Sequence, residues 1–121
     1  MNMFVVAIVS VALSVAAQFS LKAGMSGEVV REILAQPFSA RSAFVVLTDK
    51  YVLGGFLLYG LGAIVWLAVL AKWDVSKAYP LVGLGFVFTV AIGSMIGENV
   101  TFSRVAGVAL ICAGVFLVGR G

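Results

Sequence analysis

Histidine is absent from this 121-residue chain, and there is one cysteine. Zinc clusters, Cys–His nucleophile pairs and disulfides within the chain are therefore excluded, and no cofactor or metal is expected. Cys112 lies inside an apolar run and reads as a small packing residue. Charge is scarce too. Only 11% of the residues are charged, against about 25% in soluble domains. No basic cluster is interleaved with aromatics, so nucleic acid is not an expected partner. What fills the chain is hydrophobic residues, 63% of the total. A soluble domain this small could not hide so much apolar surface. The expected solvent is lipid.

The few charges mark where the chain leaves the membrane. Segments 1–21, 51–71 and 78–97 carry no charged side chain, and 105–119 is a shorter run of the same kind. A bilayer core takes about 20 helical residues. The last run reaches that length if Phe102 and Ser103 join it and Arg104 snorkels. The runs are continuously apolar rather than alternating, which favours helices over barrel strands. The fold class expected is an all-α membrane protein. It is one domain of four transmembrane helices at about 3–22, 51–71, 78–97 and 102–119. The first run has no Lys or Arg ahead of it and three spans follow it, so it is expected to be retained rather than cleaved as a signal peptide.

Between the first two spans, EVVREILA (28–35) sets Val29, Val30, Ile33 and Leu34 against Glu28, Arg31 and Glu32. That is a short amphipathic segment suited to the membrane surface, ended by Pro37. SAFVVL (42–47) has no assigned structure. Thr48 or Asp49 can cap the second span. Cations divide five to three, with Lys22, Arg31, Arg41, Lys50 and Arg104 on one side and Lys72, Lys77 and Arg120 on the other. This is a weak positive-inside signal that leans toward both termini outside and leaves dual insertion open. Four short helices make a thin bundle, and a dimer is expected.

The first span carries a polar stripe: Ser10, Ser14, Gln18 and Lys22 recur at every fourth position. Steps of four drift by about 40° each, so the stripe crosses about 120° of one face. Lys22 could simply anchor the helix at the interface, and Gln18 could bond a neighbouring helix. The other reading is a cationic, polar lining for an anionic cargo such as a phosphate, with Gln18 donating and accepting hydrogen bonds. Trp66, well inside the second span, either lines a cavity or packs. Tyr79 opens the third span and is placed to meet a headgroup. Glu98 either pairs with Arg104 or reaches Lys22 or a cargo amine. Tyr51 and Trp73 read as interfacial belt residues.

Fourteen glycines favour close helix packing. GSMIG (93–97) fits the small-xxx-small pattern. Pro80 is expected at or near the first helical position of the third span, where no N–H is lost. Gly83 and Gly85 make that span the expected hinge.

GVALICAGV (107–115) resembles the dimerisation motif of the small multidrug resistance transporters, in which four-helix chains pair as antiparallel dimers. The resemblance implies dimer packing by Gly107, Leu110, Ile111, Gly114 and Val115. SVAAQFSLKAG (14–24), WLAVLAKWDVSKAYPLVGLGFV (66–87) and GENVTFSRVAGVALICAGVFLVG (97–119) resemble another branch of the drug/metabolite transporter superfamily. These are the small subunits that flip aminoarabinose-phosphoundecaprenol, and their EamA-type relatives. Two positions depart from the drug exporters. Ser14 stands where they carry an essential glutamate, and Val82 where they carry a tryptophan. The dimer motif carries over; the proton-coupled mechanism does not.

Together these readings imply a subunit of a bacterial inner-membrane, multi-pass transporter, not an enzyme. It would flip a polyprenyl-phosphate-linked sugar or similar anionic glycolipid as a homodimer or with a paralogous subunit. The substrate-binding residues expected are Ser14, Gln18, Lys22, Trp66, Tyr79 and Glu98. The rivals are a cation, multidrug or metabolite exporter, and a non-transporting scaffold for a glycosyltransferase.

Overall fold

Seven α-helices and one 3-10 helix account for nearly all of residues 2–120, the part of the chain that the computed structural model describes. Helix α1 (Met3–Met25) begins where the Asn2 side chain accepts the Phe4 N–H. Helix α4 (Lys50–Lys72) begins at Asp49, whose carboxylate accepts the N–H groups of Tyr51 and Val52. Capped starts and proline-free interiors let both run unbroken for 23 residues. With the third span (Val75–Met95) and α7 (Phe102–Arg120), four helical segments are long and apolar enough to cross a membrane.

Pairing of α1 with α4 follows from where the small residues fall. Along α1, positions 7, 10, 14, 17, 21 and 24 alternate steps of three and four; along α4, positions 52, 55, 59, 62, 66 and 69 do the same. Run antiparallel, the two series meet. A Cβ on Gly24 would lie 2.6 Å from Val52, one on Gly55 would lie 2.7 Å from Leu21, and one on Gly62 would lie 3.2 Å from the Ser10 carbonyl. Ala7 and Val69 are fully buried in one cluster at the far end. Three-four alternation gives the shallow crossing of left-handed helix pairs. In lipid, such a seam is held by close contact rather than by exclusion of water.

The third span is not one regular helix. It begins at Val75, ahead of 78, as α5 (Val75–Ala78). It tightens to a 3-10 helix over Tyr79–Leu84 and resumes as α6 (Gly85–Met95). Pro80 therefore sits inside the span, in the first turn of its 3-10 stretch rather than of the span as a whole. It cannot donate an N–H, and its ring crowds the carbonyl four residues back, so the backbone tightens locally. Gly83 and Gly85 let this stretch slot between its neighbours. A Cβ on Gly83 would lie 2.8 Å from Ile111 of α7, and one on Gly85 would lie 3.1 Å from Val11 of α1. The expected hinge glycines are contact glycines in this conformation.

The GSMIG pair has a local explanation. Gly97 has φ +94°, and the Glu98 N–H reaches back to the Gly93 carbonyl at 2.9 Å. This is a Schellman stop, which favours glycine at the left-handed position. The Glu98 side chain folds over Gly93, where a Cβ would lie 2.8 Å from its Oε1. Gly93 and Gly97 thus end a helix instead of joining two.

Between the first two spans, α2 (Glu28–Leu34) stops before Pro37, and Val30 is its buried residue. Val29 and Leu34, expected on the same apolar side, are exposed. The 42–47 stretch belongs to α3 (Ala40–Thr48), started by Ser39, whose hydroxyl accepts the Ser42 N–H.

Candidate functional site

The polar stripe of α1 divides according to its drift. Ser10 lies in the seam, is buried, and donates to the Gly62 carbonyl at 2.7 Å. Ser14 donates to its own helix, at Val11 O. Gln18 has turned out of the seam, is exposed, and donates from Nε2 to the Tyr59 hydroxyl. Lys22 has turned furthest and is exposed in the last turn of α1. Because the seam alternates three and four while the stripe repeats four, the stripe must leave the interface. It runs from the inside of the bundle to its surface.

Where the stripe parts from the seam, a groove of about 320 Å³ opens between α1, α4 and the 3-10 stretch. Ser14, Trp66 and Tyr79 line it together, with Tyr59 opposite and Val82 beside it. No charged side chain is among its lining residues. Gln18 joins the groove through Tyr59, and Lys22 follows one helical turn beyond. Tyr79 is largely exposed, at 66%, so the groove stands open along one side. Chemically, this is a row of hydroxyls and an amide along an indole ring, leading to an ammonium group. Hydroxyls and amides suit sugar hydroxyls, aromatic faces suit sugar rings, and the ammonium suits a phosphate.

Glu98 lies apart. Its position is set by the Schellman stop, and it does not line the groove. Arg104 donates to the Asn99 carbonyl at 3.0 Å, so its recorded hydrogen bond is to the backbone rather than to Glu98. Among the described residues no cluster of three His, Cys, Asp or Glu could hold a metal.

The five positions set for dimer packing split between two uses. Ile111 and Val115 pack inward on Gly83 of the third span. Gly107 and Gly114 have open space where a Cβ would be, and Leu110 is 74% exposed. Cys112 is half-buried and lines a second cleft. Sequence reading passed over Tyr59. A signal was present: Tyr59 and Trp66 share heptad spacing with the glycines at 55 and 62, seven residues apart on one face.

Comparison with known proteins adds the context. Residues 16–119 match the model of transmembrane family 234. A probable 4-amino-4-deoxy-L-arabinose-phosphoundecaprenol flippase subunit ArnF of Sodalis glossinidius is 42% identical over 69 residues, 54% of this chain and 53% of the relative. The corresponding ArnE of Pseudomonas savastanoi pv. phaseolicola is 47% identical over 62 residues, 50% of this chain and 54% of the relative. In both, the chain spans about half the length of the curated relative it matches. An ArnF of Proteus mirabilis is 30% identical over 118 residues, 94% of this chain and 89% of the relative. No solved structure matches.

Proposed function

The chain belongs to transmembrane family 234, and on that premise we propose that it is one subunit of a flippase for a lipid-linked sugar phosphate in a bacterial inner membrane. Its relatives are named as subunits for such a cargo. The observation that carries the reading is the carboxylate-free polar line from Ser14 through Tyr59 and Gln18 to Lys22, beside Trp66 and Tyr79.

In this reading Lys22 draws the phosphate to the mouth of the line. Gln18, Ser14 and the two tyrosine hydroxyls exchange hydrogen bonds with the sugar as it passes, and Trp66 offers it a flat apolar face. The polyprenyl tail stays in the bilayer beside the open wall of the groove. The same contacts serve both leaflets, so no bond is made or broken. The open side of the groove is closed by a second subunit, a paralogue or another copy. That subunit packs on Gly107, Leu110 and Gly114 of α7, in an antiparallel arrangement. Movement of the 3-10 stretch past Ile111 and Val11 alternates access. Glu98 sits on the membrane face that holds Lys22, where it meets an amino group on the cargo.

A cation exporter would need a carboxylate buried in its path to trade a proton for cargo. Ser14 supplies none.

The test is mass spectrometry of the lipids retained by purified protein. Wild type should carry a phosphorylated glycolipid, and Lys22→Ala should lose it, with Gln18→Ala intermediate. Equal retention by all three would mean annular lipid and would sink the proposal.

A further inference from the structure

At the end of the bundle away from Lys22, a second and larger cleft of about 490 Å³ opens between the start of α1, the 3-10 stretch and the end of α7. It shares no lining residue with the groove. Its walls are hydrocarbon, with Leu81 and Leu84 from one side and Val115 and Phe116 from the other. Two cations lie on it, Lys77 from α5 and Arg120 from α7, and among the described residues no acidic side chain lines it. The Lys77 ammonium stands 4.5 Å from the centroid of the Trp73 ring, so the cationic end of the cleft is also its aromatic end. Both cations sit at helix ends on one membrane face, where headgroups lie.

We propose that this cleft is a binding site for an anionic membrane lipid, its headgroup phosphate between Lys77 and Arg120 and an acyl chain along the Leu81–Phe116 walls. The pairing of features selects the occupant. A free phosphate would use the two cations and leave the walls bare. A neutral chain would fill the walls and leave the cations unmatched. A second copy docked here in the same membrane orientation would bring like charges together. An anionic amphiphile satisfies both ends, and a Lys or Arg beside a headgroup strengthens its attraction to anionic lipid. The site does not depend on the transport reading, since neither Lys22 nor Gln18 takes part in it.

The chain has two tryptophans, so Trp66→Phe leaves Trp73 as the single reporter. The protein is placed in phosphatidylcholine vesicles carrying equal mole fractions of brominated phosphatidylglycerol or brominated phosphatidylcholine, and Trp73 quenching is read. The anionic lipid should quench more strongly. The preference should fall roughly fivefold for each of Lys77→Gln and Arg120→Gln, the factor expected for one cation facing an anionic lipid. Arg120→Gln leaves the Lys77–Trp73 contact in place, which separates loss of charge from a change in the fluorophore's surroundings. Lys22→Gln should leave the preference intact whether or not it abolishes glycolipid retention. Circular dichroism confirms that the variants fold. Equal quenching by the two lipids, or a preference that survives the double variant, would overturn the proposal. So would its removal by millimolar inorganic phosphate, which would make a soluble anion the ligand. Quenching by neither lipid would leave the cleft without a lipid and would overturn it as well.

Discussion

Helices α1 and α7 are similar in apolar composition and opposite in circumstance. The first is wedged between α4 and the third span, with six buried residues. The second has none buried and touches the rest of the chain chiefly where Ile111 and Val115 meet Gly83. Hydrophobicity cannot distinguish them, because both dissolve in lipid. What distinguishes them is where small residues face a partner. On α1 and α4 every seam glycine is met by an atom within 3.2 Å. On α7, Gly107 and Gly114 are met by nothing within 4 Å among the described residues. In a bilayer, a helix is finished when its small residues are covered. By that measure α1 is finished and α7 is not.

The contrast can be broken at its strongest point. Gly55→Leu drives a branched side chain into Leu21 and the Ala17 carbonyl, a clash that no rotamer relieves. It should cost about 3 kcal/mol, the upper range for overpacking, and lower the thermal midpoint in detergent sharply. The same substitution at Gly114 should leave that midpoint within about 0.5 kcal/mol, as at an open surface position. It should instead abolish cross-linking between copies or with a partner subunit. If Gly114→Leu unfolds the protein and Gly55→Leu does not, the comparison is reversed. Gly83→Ala tests the place where α7 is chiefly engaged. Its methyl would lie 2.8 Å from the branch methyl of Ile111, a side chain that turns little, so stability should fall by about 2 kcal/mol; transport should fall further if the 3-10 stretch moves as proposed. The smallest effect belongs to Ser10→Ala. The hydrogen bond to the Gly62 carbonyl is buried, yet such bonds between membrane helices average about 0.6 kcal/mol. A loss of 3 kcal/mol there would mean that the seam is held by polarity rather than by close contact.

The spans could be read from the chain because charge placement alone marks where helices leave a bilayer, and Asp49 could be recognised as a cap from its type and position. The polar stripe was visible as residues but not as a path. Its four-residue repeat is a property of α1, whereas the seam from which it departs is a property of α1 and α4 together. Ser10 and Gln18 look alike in the sequence, and only the register of the partner helix buries one and exposes the other. Tyr59 was missed for the same reason. Its role exists only once Gln18, 41 residues away, is brought beside it. Gly93 and Gly97 misled in the opposite way. A spacing that suits helix contact also suits a Schellman stop, and the sequence does not say which carbonyl the next N–H will reach.

The 3-10 stretch of the third span has a consequence in length. A 3-10 helix rises about 2.0 Å per residue and an α-helix about 1.5 Å. Six residues wound the tighter way extend the 21-residue third span to roughly the reach of its 23-residue neighbours. Relaxing those residues to α would draw the two ends together by about 3 Å. A span with Pro80 in its first third thus matches its 23-residue neighbours in reach with two fewer residues.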